Sequence, residues 1–245
     1  MKTIIICGGS GFLGIEVCKS LSKKYKILLL DLKKPAINLS EFKNIKFINF
    51  NLSNSYKFEK LLINIKEKYK EIYGLINLIY PEKFKTEKNL LSIKETSFTK
   101  SLNKHIATYF IICQKFIKVF SKTKKPIRII NFSSIYGEIL PKFEIYKNTK
   151  MYVPLDYCIS KNAIIVMTKY LAKYFKKKNI IINSISPGGV FDNQDKKFIK
   201  KYTDNCINKG MLDSKDIICG VNFLLDENNI YYNGQNLIID DGFTL

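Results

Sequence analysis

The chain has one histidine, His105, one arginine, Arg128, and no tryptophan. Its six cysteines (Cys7, Cys18, Cys113, Cys158, Cys206, Cys219) are scattered, with no CxxC and no histidine beside them. That excludes a zinc site and leaves them as small apolar fillers of a reducing compartment. No apolar run approaches the roughly 20 residues of a membrane span. The opening MKTIIICGGSGFLG puts glycines straight after a short apolar run, which is too short for a secretory signal. The expectation is a cytoplasmic protein with no membrane partner. Linkers and internal repeats are also lacking, so residues 1–245 read as one domain.

The scarcity of arginine bears on the charge. Basic residues number 41 against 21 acids, a net charge of +20. Lysine without arginine is a poor toolkit for base readout, which favours bidentate guanidinium. The bland reading of the excess is an AT-rich genome, whose codons favour Lys, Asn and Ile, and the expectation is no nucleic-acid partner. What charge remains to be explained suits an anionic small molecule.

Seven short β-branched runs stand out: residues 3–7, 26–30, 45–50, 74–79, 127–132, 180–185 and 236–240. Helical periodicity lies between them, near 12–24, 55–71, 98–122, 155–177, 194–208 and 214–226. Continuous apolar strands alternating with helices predict an α/β fold. The specific form is a Rossmann-type doubly wound parallel sheet of about seven strands, with helices on both faces.

CGGSGFLG (7–14) follows the first strand and opens the first helix. Such a loop lets a pyrophosphate approach backbone N–H groups at a helix N-terminus. Asp31 ends the next strand, where a carboxylate accepts from ribose hydroxyls and repels a 2′-phosphate. This favours NAD over NADP. Asp31 starting a turn, with Lys33 and Lys34 offsetting its charge, is the competing reading. Asn51, ending the third strand, either meets the adenine edge or makes a plain turn.

Tyr157 and Lys161 are four residues apart, but the spacing alone says little. With 15 tyrosines and 40 lysines, about two or three such pairs arise by chance. There are four: Tyr56/Lys60, Tyr146/Lys150, Tyr157/Lys161 and Tyr174/Lys178. Only Tyr157/Lys161 follows the fifth strand, INFSSIYG, on a helix that turns both side chains toward the strand tips. An ammonium there is expected to lower the phenol pKa and make it an acid or base near neutrality. Tyr146/Lys150 is the rival, weakened by Pro154 four residues on.

Together GGSGFLG, INFSSIYG, YCISKNAIIVMTKYLAKYF, IINSISPGGV and YYNGQNLIIDDG resemble the short-chain dehydrogenase/reductase family over essentially the whole chain. The resemblance implies hydride transfer between NAD(P) and a carbinol or carbonyl carbon. It makes Tyr157 the acid/base, Ser134 the partner of the reacting oxygen, and Lys161 the holder of the nicotinamide ribose. Pro187, Gly188, Gly189 and Val190 then lie against the nicotinamide. The implied cofactor set also includes Gly8, Gly9, Ser10, Gly11, Phe12, Leu13, Gly14, Asp31, Leu32, Asn51, Leu52 and Asn77. The substrate set is Ser134, Tyr136, Tyr152 and Asp192. Homodimers or homotetramers formed through the two long helices are implied as well.

The chain departs from the family pattern in several places. NNAG appears as NLIY, keeping only Asn77, and the fourth catalytic residue, normally Asn, aligns with His105. A lone histidine near a helix is equally a structural one. Asp192 stands where Thr is common. Ser134 and Tyr157 are 23 residues apart, about ten more than usual, so 138–155 is either a substrate lid or a longer surface loop. SSIYGEILPKFEIYKNTKMYVPLDYCISK and GQNLIIDDGFTL look like the flagellin-modification oxidoreductases of surface-sugar pathways, which implies a sugar or sugar-phosphate substrate. The alternatives are a nucleotide-sugar epimerase or dehydratase with tightly held NAD, and a non-catalytic dinucleotide sensor.

Overall fold

The apolar runs become β1 (Thr3–Cys7), β2 (Lys26–Asp31), β3 (Ile45–Asn49), β4 (Ile72–Asn77), β5 (Ile127–Phe132), β6 (Ile180–Pro187) and β7 (Asn236–Ile239). The computed structural model describes residues 1–80, 89–122 and 125–245. All seven strands pair in parallel, in the order β3-β2-β1-β4-β5-β6-β7. The order reverses between β1 and β4, and at such a point the strand tips open into a crevice.

Alternate residues of each strand point to opposite layers. On one face Ile5, Leu28, Leu75, Ile129 and Ile182 meet the helices α2 (Ser55–Lys68), α4 (Thr108–Phe120) and α5 (Leu155–Tyr174). Phe58, Leu62, Ile112 and Phe116 of that layer are wholly buried, each adding about 1.5–3 kcal/mol. On the other face Ile4, Ile6, Leu29 and Ile130 meet α1 (Phe12–Leu21) and α7 (Ile218–Leu225). A third, smaller core lies beyond the strand tips. There Ile135 and Ile145 pack on Phe198 and Tyr202 of α6 (Lys196–Thr203), with Met211 and Phe243.

The structure departs from the sequence pattern in several places. The predicted helix at 98–122 is α3 (Glu95–Leu102), a π turn at Asn103–Ala107, and then α4. A π turn is a single-turn bulge between two α-helical stretches, so the segment still reads as one helix from its composition. β4 begins at Ile72 rather than 74 and stops at Asn77, because the chain at Ile79 lies against Gly8 and leaves the ladder. The helices near 12–24 and 194–208 end earlier, at Leu21 and Thr203.

The only arginine is structural. Arg128 is 2% exposed, and its Nη2 donates to the carbonyls of Asp226 and Glu227 at 2.9 and 3.1 Å. It thereby satisfies backbone acceptors just past the end of α7, and its guanidinium lies 5.2 Å from the Tyr73 ring centroid. Among the described residues no helix is long and apolar enough to cross a membrane.

Gly8 has φ +80°, and a Cβ there would stand 2.5 Å from the Ile79 Cα. Gly8→Ala combines left-handed strain with a backbone clash. It is expected to lower unfolding free energy by about 2–4 kcal/mol, as measured by urea titration.

Candidate active site

The glycine loop is shaped by what its glycines touch. Gly9 sits on Leu29 and Cys18, and a Cβ on Gly14 would lie 2.6 Å from the Gly9 Cα, so α1 rests directly on the loop. Gly11 differs, since its Cα faces open space. It is the N-cap of α1, with extended backbone, no side-chain cap and no acid in the following turn. The Ser10 N–H donates to Asp31 Oδ2 at 3.0 Å, while the Ser10 Oγ is buried without a hydrogen-bond partner. Uncapped helix amides, an orphaned hydroxyl and open space over Gly11 fit a pyrophosphate.

The other predicted cofactor residues divide. Phe12 and Leu32 are exposed, whereas Leu13 and Leu52 pack into the two main cores. Asp31 ends β2 beside the loop, with Oδ1 also accepting from the Lys33 N–H at 3.3 Å. The Asn51 Oδ1 accepts from the Ser53 N–H at 3.0 Å, which makes the turn that was its alternative reading. Asn77 is fully buried at the tip of β4, and its amide makes no hydrogen bond of normal geometry.

At the tip of β5 the structure brings Ser134, Tyr157 and Lys161 together. Ser133 is bonded twice: its N–H to the Ile185 carbonyl at 2.7 Å and its Oγ to the Lys161 carbonyl at 2.7 Å. The next residues form a tight turn, Ile135–Gly137, capped by the Ser134 Oγ. Gly137 sits where a Cβ would meet the Lys161 carbonyl carbon at 2.7 Å, and its own carbonyl accepts from Asn162 at 2.8 Å. The turn therefore lies flat on α5, and the Ser134 hydroxyl hydrogen-bonds the Tyr157 phenol.

Lys161 is 8% exposed and donates to the Phe132 carbonyl at 3.1 Å. Its Nζ lies 5.7 Å from the ring centroids of both Tyr157 and Tyr109. Burial lowers Lys161 to about 8. Burial also raises Tyr157 above the ordinary phenol value, and the Ser134 hydrogen bond offsets only part of that. The sequence expectation that Lys161 pulls Tyr157 down is not met in this structure. The ammonium is turned to the Phe132 carbonyl, and desolvation of the phenolate is the largest influence on Tyr157. The Tyr157 phenol is thus held in its neutral form.

His105 lies in the π turn, 5% exposed, with Tyr80 packed at 5.5 Å between ring centroids. The Tyr80 phenol in turn raises Tyr157. Tyr80 is thus a member of the cluster that sequence reasoning missed. Its signal was its place at the tip of β4, three residues past Asn77. Tyr109 was missed as well: wholly within the core, its hydroxyl donates to the Phe132 carbonyl at 3.0 Å and lies 3.3 Å from that of Asn77.

On the substrate side, the Tyr136 and Tyr146 hydroxyls are 2.6 Å apart. Burial raises Tyr136 to about 12. Tyr146 belongs to a short turn, Phe143–Tyr146, rather than to a helix with Lys150. Tyr152 is partly exposed, and Asp192 is exposed with its N–H on Gln194 Oε1 at 2.7 Å. Gly188 donates to the Ile239 carbonyl at 2.8 Å, and Val190 bridges Leu212. An open groove of about 740 Å³ lined by Tyr25, Cys219, Phe223 and Asp226 lies elsewhere, where α1 ends and β2 begins. It is remote from these groups, and the strand tips remain the place where the reactive side chains converge.

Residues 22–244 match the profile of a family described as enoyl-(acyl carrier protein) reductase. The post-translational flagellin modification protein A of Campylobacter coli is 33% identical over 255 residues, covering 100% of this chain and 98% of that protein. A 3-oxoacyl-[acyl-carrier-protein] reductase of Rickettsia typhi is 26% identical over 252 residues, covering 100% and 97%. A solved short chain dehydrogenase from Leptospira borgpetersenii with bound NAD+ superposes with TM-score 0.89 at 30% identity, over 100% of this chain and 93% of that one.

The Lys161 shift has a sign that can be checked. Its folded pKa lies below its unfolded value, so the unfolded chain holds more protons between about pH 8 and 10.5. Stability from this group therefore rises with pH across that window. Lys161→Met, which has no charge to bury, is expected to be the more stable protein at pH 7 by roughly 3 kcal/mol and to lose that lead by pH 10.5. Paired urea unfolding curves at the two pH values measure this.

Proposed function

This chain belongs to the short-chain dehydrogenase/reductase family, and from that premise we propose that it moves a hydride between NAD and a hydroxyl or keto carbon of a sugar or sugar-phosphate. The observation that carries the reading is the Ser134–Tyr157–Lys161 cluster at the β5 tip, on the same edge of the sheet as the glycine loop and Asp31. The flagellin-modification relative supports a place in bacterial surface-glycan synthesis of the legionaminic-acid type. Lysine-rich composition suits an anionic substrate, and six unpaired cysteines suit the reducing cytoplasm.

Bound NAD(H) supplies or accepts the hydride; the protein's own side chains handle the proton. In reduction, Tyr157 gives its proton to the carbonyl oxygen as that oxygen becomes a hydroxyl. Ser134, already bonded to Tyr157, holds the same oxygen and fixes its distance from the phenol. Lys161, held against the Phe132 carbonyl, would hold the nicotinamide ribose and would offset the charge when Tyr157 is left as phenolate. The protonated state of Tyr157 at neutral pH suits this direction. Asp31 supports NAD rather than NADP, since a 2′-phosphate would meet its carboxylate.

α5 also presents an apolar stripe at spacings of four and seven: Leu155, Ile159, Val166, Tyr170 and Tyr174 are 38–69% exposed. Tyr170 and Tyr174 stack at 6.2 Å. This stripe supports a homodimer or homotetramer assembled through α4 and α5. Val166→Glu is expected to shift the sedimentation profile toward monomer with the far-UV circular dichroism unchanged.

Calorimetric titration of nucleotide-stripped protein is expected to give NADH at least about tenfold tighter than NADPH. Equal affinities would overturn the NAD preference, binding of neither would overturn the oxidoreductase reading, and NAD that survives purification would point to an epimerase or dehydratase. With a substrate in hand, Tyr157→Phe is expected to lower kcat roughly 10²–10⁴-fold while leaving NADH affinity intact.

A further inference from the structure

α6 buries Phe198 and Tyr202 and turns Lys196, Lys197 and Lys200 outward. Tyr202 is 1% exposed, and its ring stacks on Phe243 at 4.2 Å and 10°. Its hydroxyl oxygen accepts the Gly189 N–H at 2.6 Å. Both glycines of the turn after Pro187 press on this side chain. A Cβ at 188 would stand 2.9 Å from the Tyr202 Oη, and one at 189 would stand 2.8 Å from its Cζ. The backbone of the turn therefore lies directly on the phenol, which explains why two glycines follow Pro187.

The turn closes β6, and β6 pairs with β5, whose last residue, Phe132, opposes Ile185. The same Phe132 carbonyl accepts Lys161. A dinucleotide that enters over Gly11 and reaches Tyr157 must cross the tips of β1, β4 and β5, so its far ring ends beside the β6 turn. Behind the turn, Tyr202 is joined to the wall on the other side of the cleft. The Phe243 carbonyl accepts Lys142 Nζ at 3.0 Å, and Lys201 Nζ donates to the carbonyls of Glu144 and Lys147 at 3.2 and 2.9 Å.

We propose that Tyr202 is a positioning residue: through the Gly189 N–H it sets how far the Gly188–Gly189 backbone stands from the reacting end of the cofactor, and it ties that distance to the 138–155 wall. This rests on the dinucleotide reading above. Tyr202 touches neither cofactor nor substrate. It acts through a backbone amide, and without its acceptor that amide is left unpaired in a tightly packed turn.

The test uses two variants of the full chain, Tyr202→Phe, which keeps the ring and removes the acceptor, and Gly189→Ala, which disturbs the same contact from the backbone side. Each is titrated with NADH and with ADP-ribose, which has the same adenosine and pyrophosphate but no nicotinamide. The expected result is a rise of about tenfold in the Kd for NADH, the ratio one buried hydrogen bond carries, with the Kd for ADP-ribose within about twofold of the parent. Unchanged NADH binding in both variants, or equal weakening of both ligands, would overturn the proposal and leave Tyr202 a packing residue. If the parent protein itself binds neither ligand, the dinucleotide reading fails first and this one with it. If the parent binds both and the variants match it, only the positioning role fails.

Discussion

One carbonyl oxygen, that of Phe132, holds the site together. It is the last acceptor of β5, and it receives the Tyr109 hydroxyl at 3.0 Å and the Lys161 ammonium at 3.1 Å. α4 reaches the tip of the sheet through the first bond and α5 through the second. Both donors are buried, so releasing either one strands polar groups away from water. The neighbouring bond from the Ser133 hydroxyl to the Lys161 carbonyl closes the loop between strand and helix. Ser134, Tyr157 and the position of Lys161 follow from these contacts rather than from any preference of their own side chains.

The strands were legible because parallel strands are apolar on both faces, and short β-branched runs bounded by turn residues and alternating with helices favour that reading. Tyr157 was legible by the same logic, since only one of the four tyrosine–lysine pairs follows the fifth strand on a helix. Tyr146 illustrates the limit. The sequence demotes it for want of a helix, yet the structure bonds its hydroxyl to Tyr136 at the edge of the cleft. The π turn that carries His105 was illegible because such single-turn bulges are rare and carry no residue signature of their own. The charge state of Tyr157 was illegible for another reason: counting neighbours gives the sign of the lysine's effect but not the depth of burial that exceeds it.

The sequence leaves the 138–155 segment as a substrate lid or a longer surface loop, and the structure packs its middle into a core. Ile145 belongs to a core with Phe198, Tyr202 and Phe243, and Lys142 and Lys201 tie its backbone to the chain end and to α6. Apolar side chains sandwiched between three elements resist separate motion. The segment, α6 and the last residues form one body beyond the sheet. A residue such as Phe143, 67% exposed, stands on that body without being part of what holds it.

The contact between Gly8 and Ile79 constrains how this protein can diverge. The loop that would carry the cofactor and the strand end that leads to Tyr80 touch backbone to backbone, where a single methyl group has no room. Residues at this seam cannot be exchanged one side at a time. A change at 78–80 that reshapes the cleft for another substrate has to preserve the backbone path that Gly8 requires. Variation in specificity is therefore channelled away from β4, toward the 138–155 segment, where side chains such as that of Tyr146 rather than main chain stand beside Tyr136.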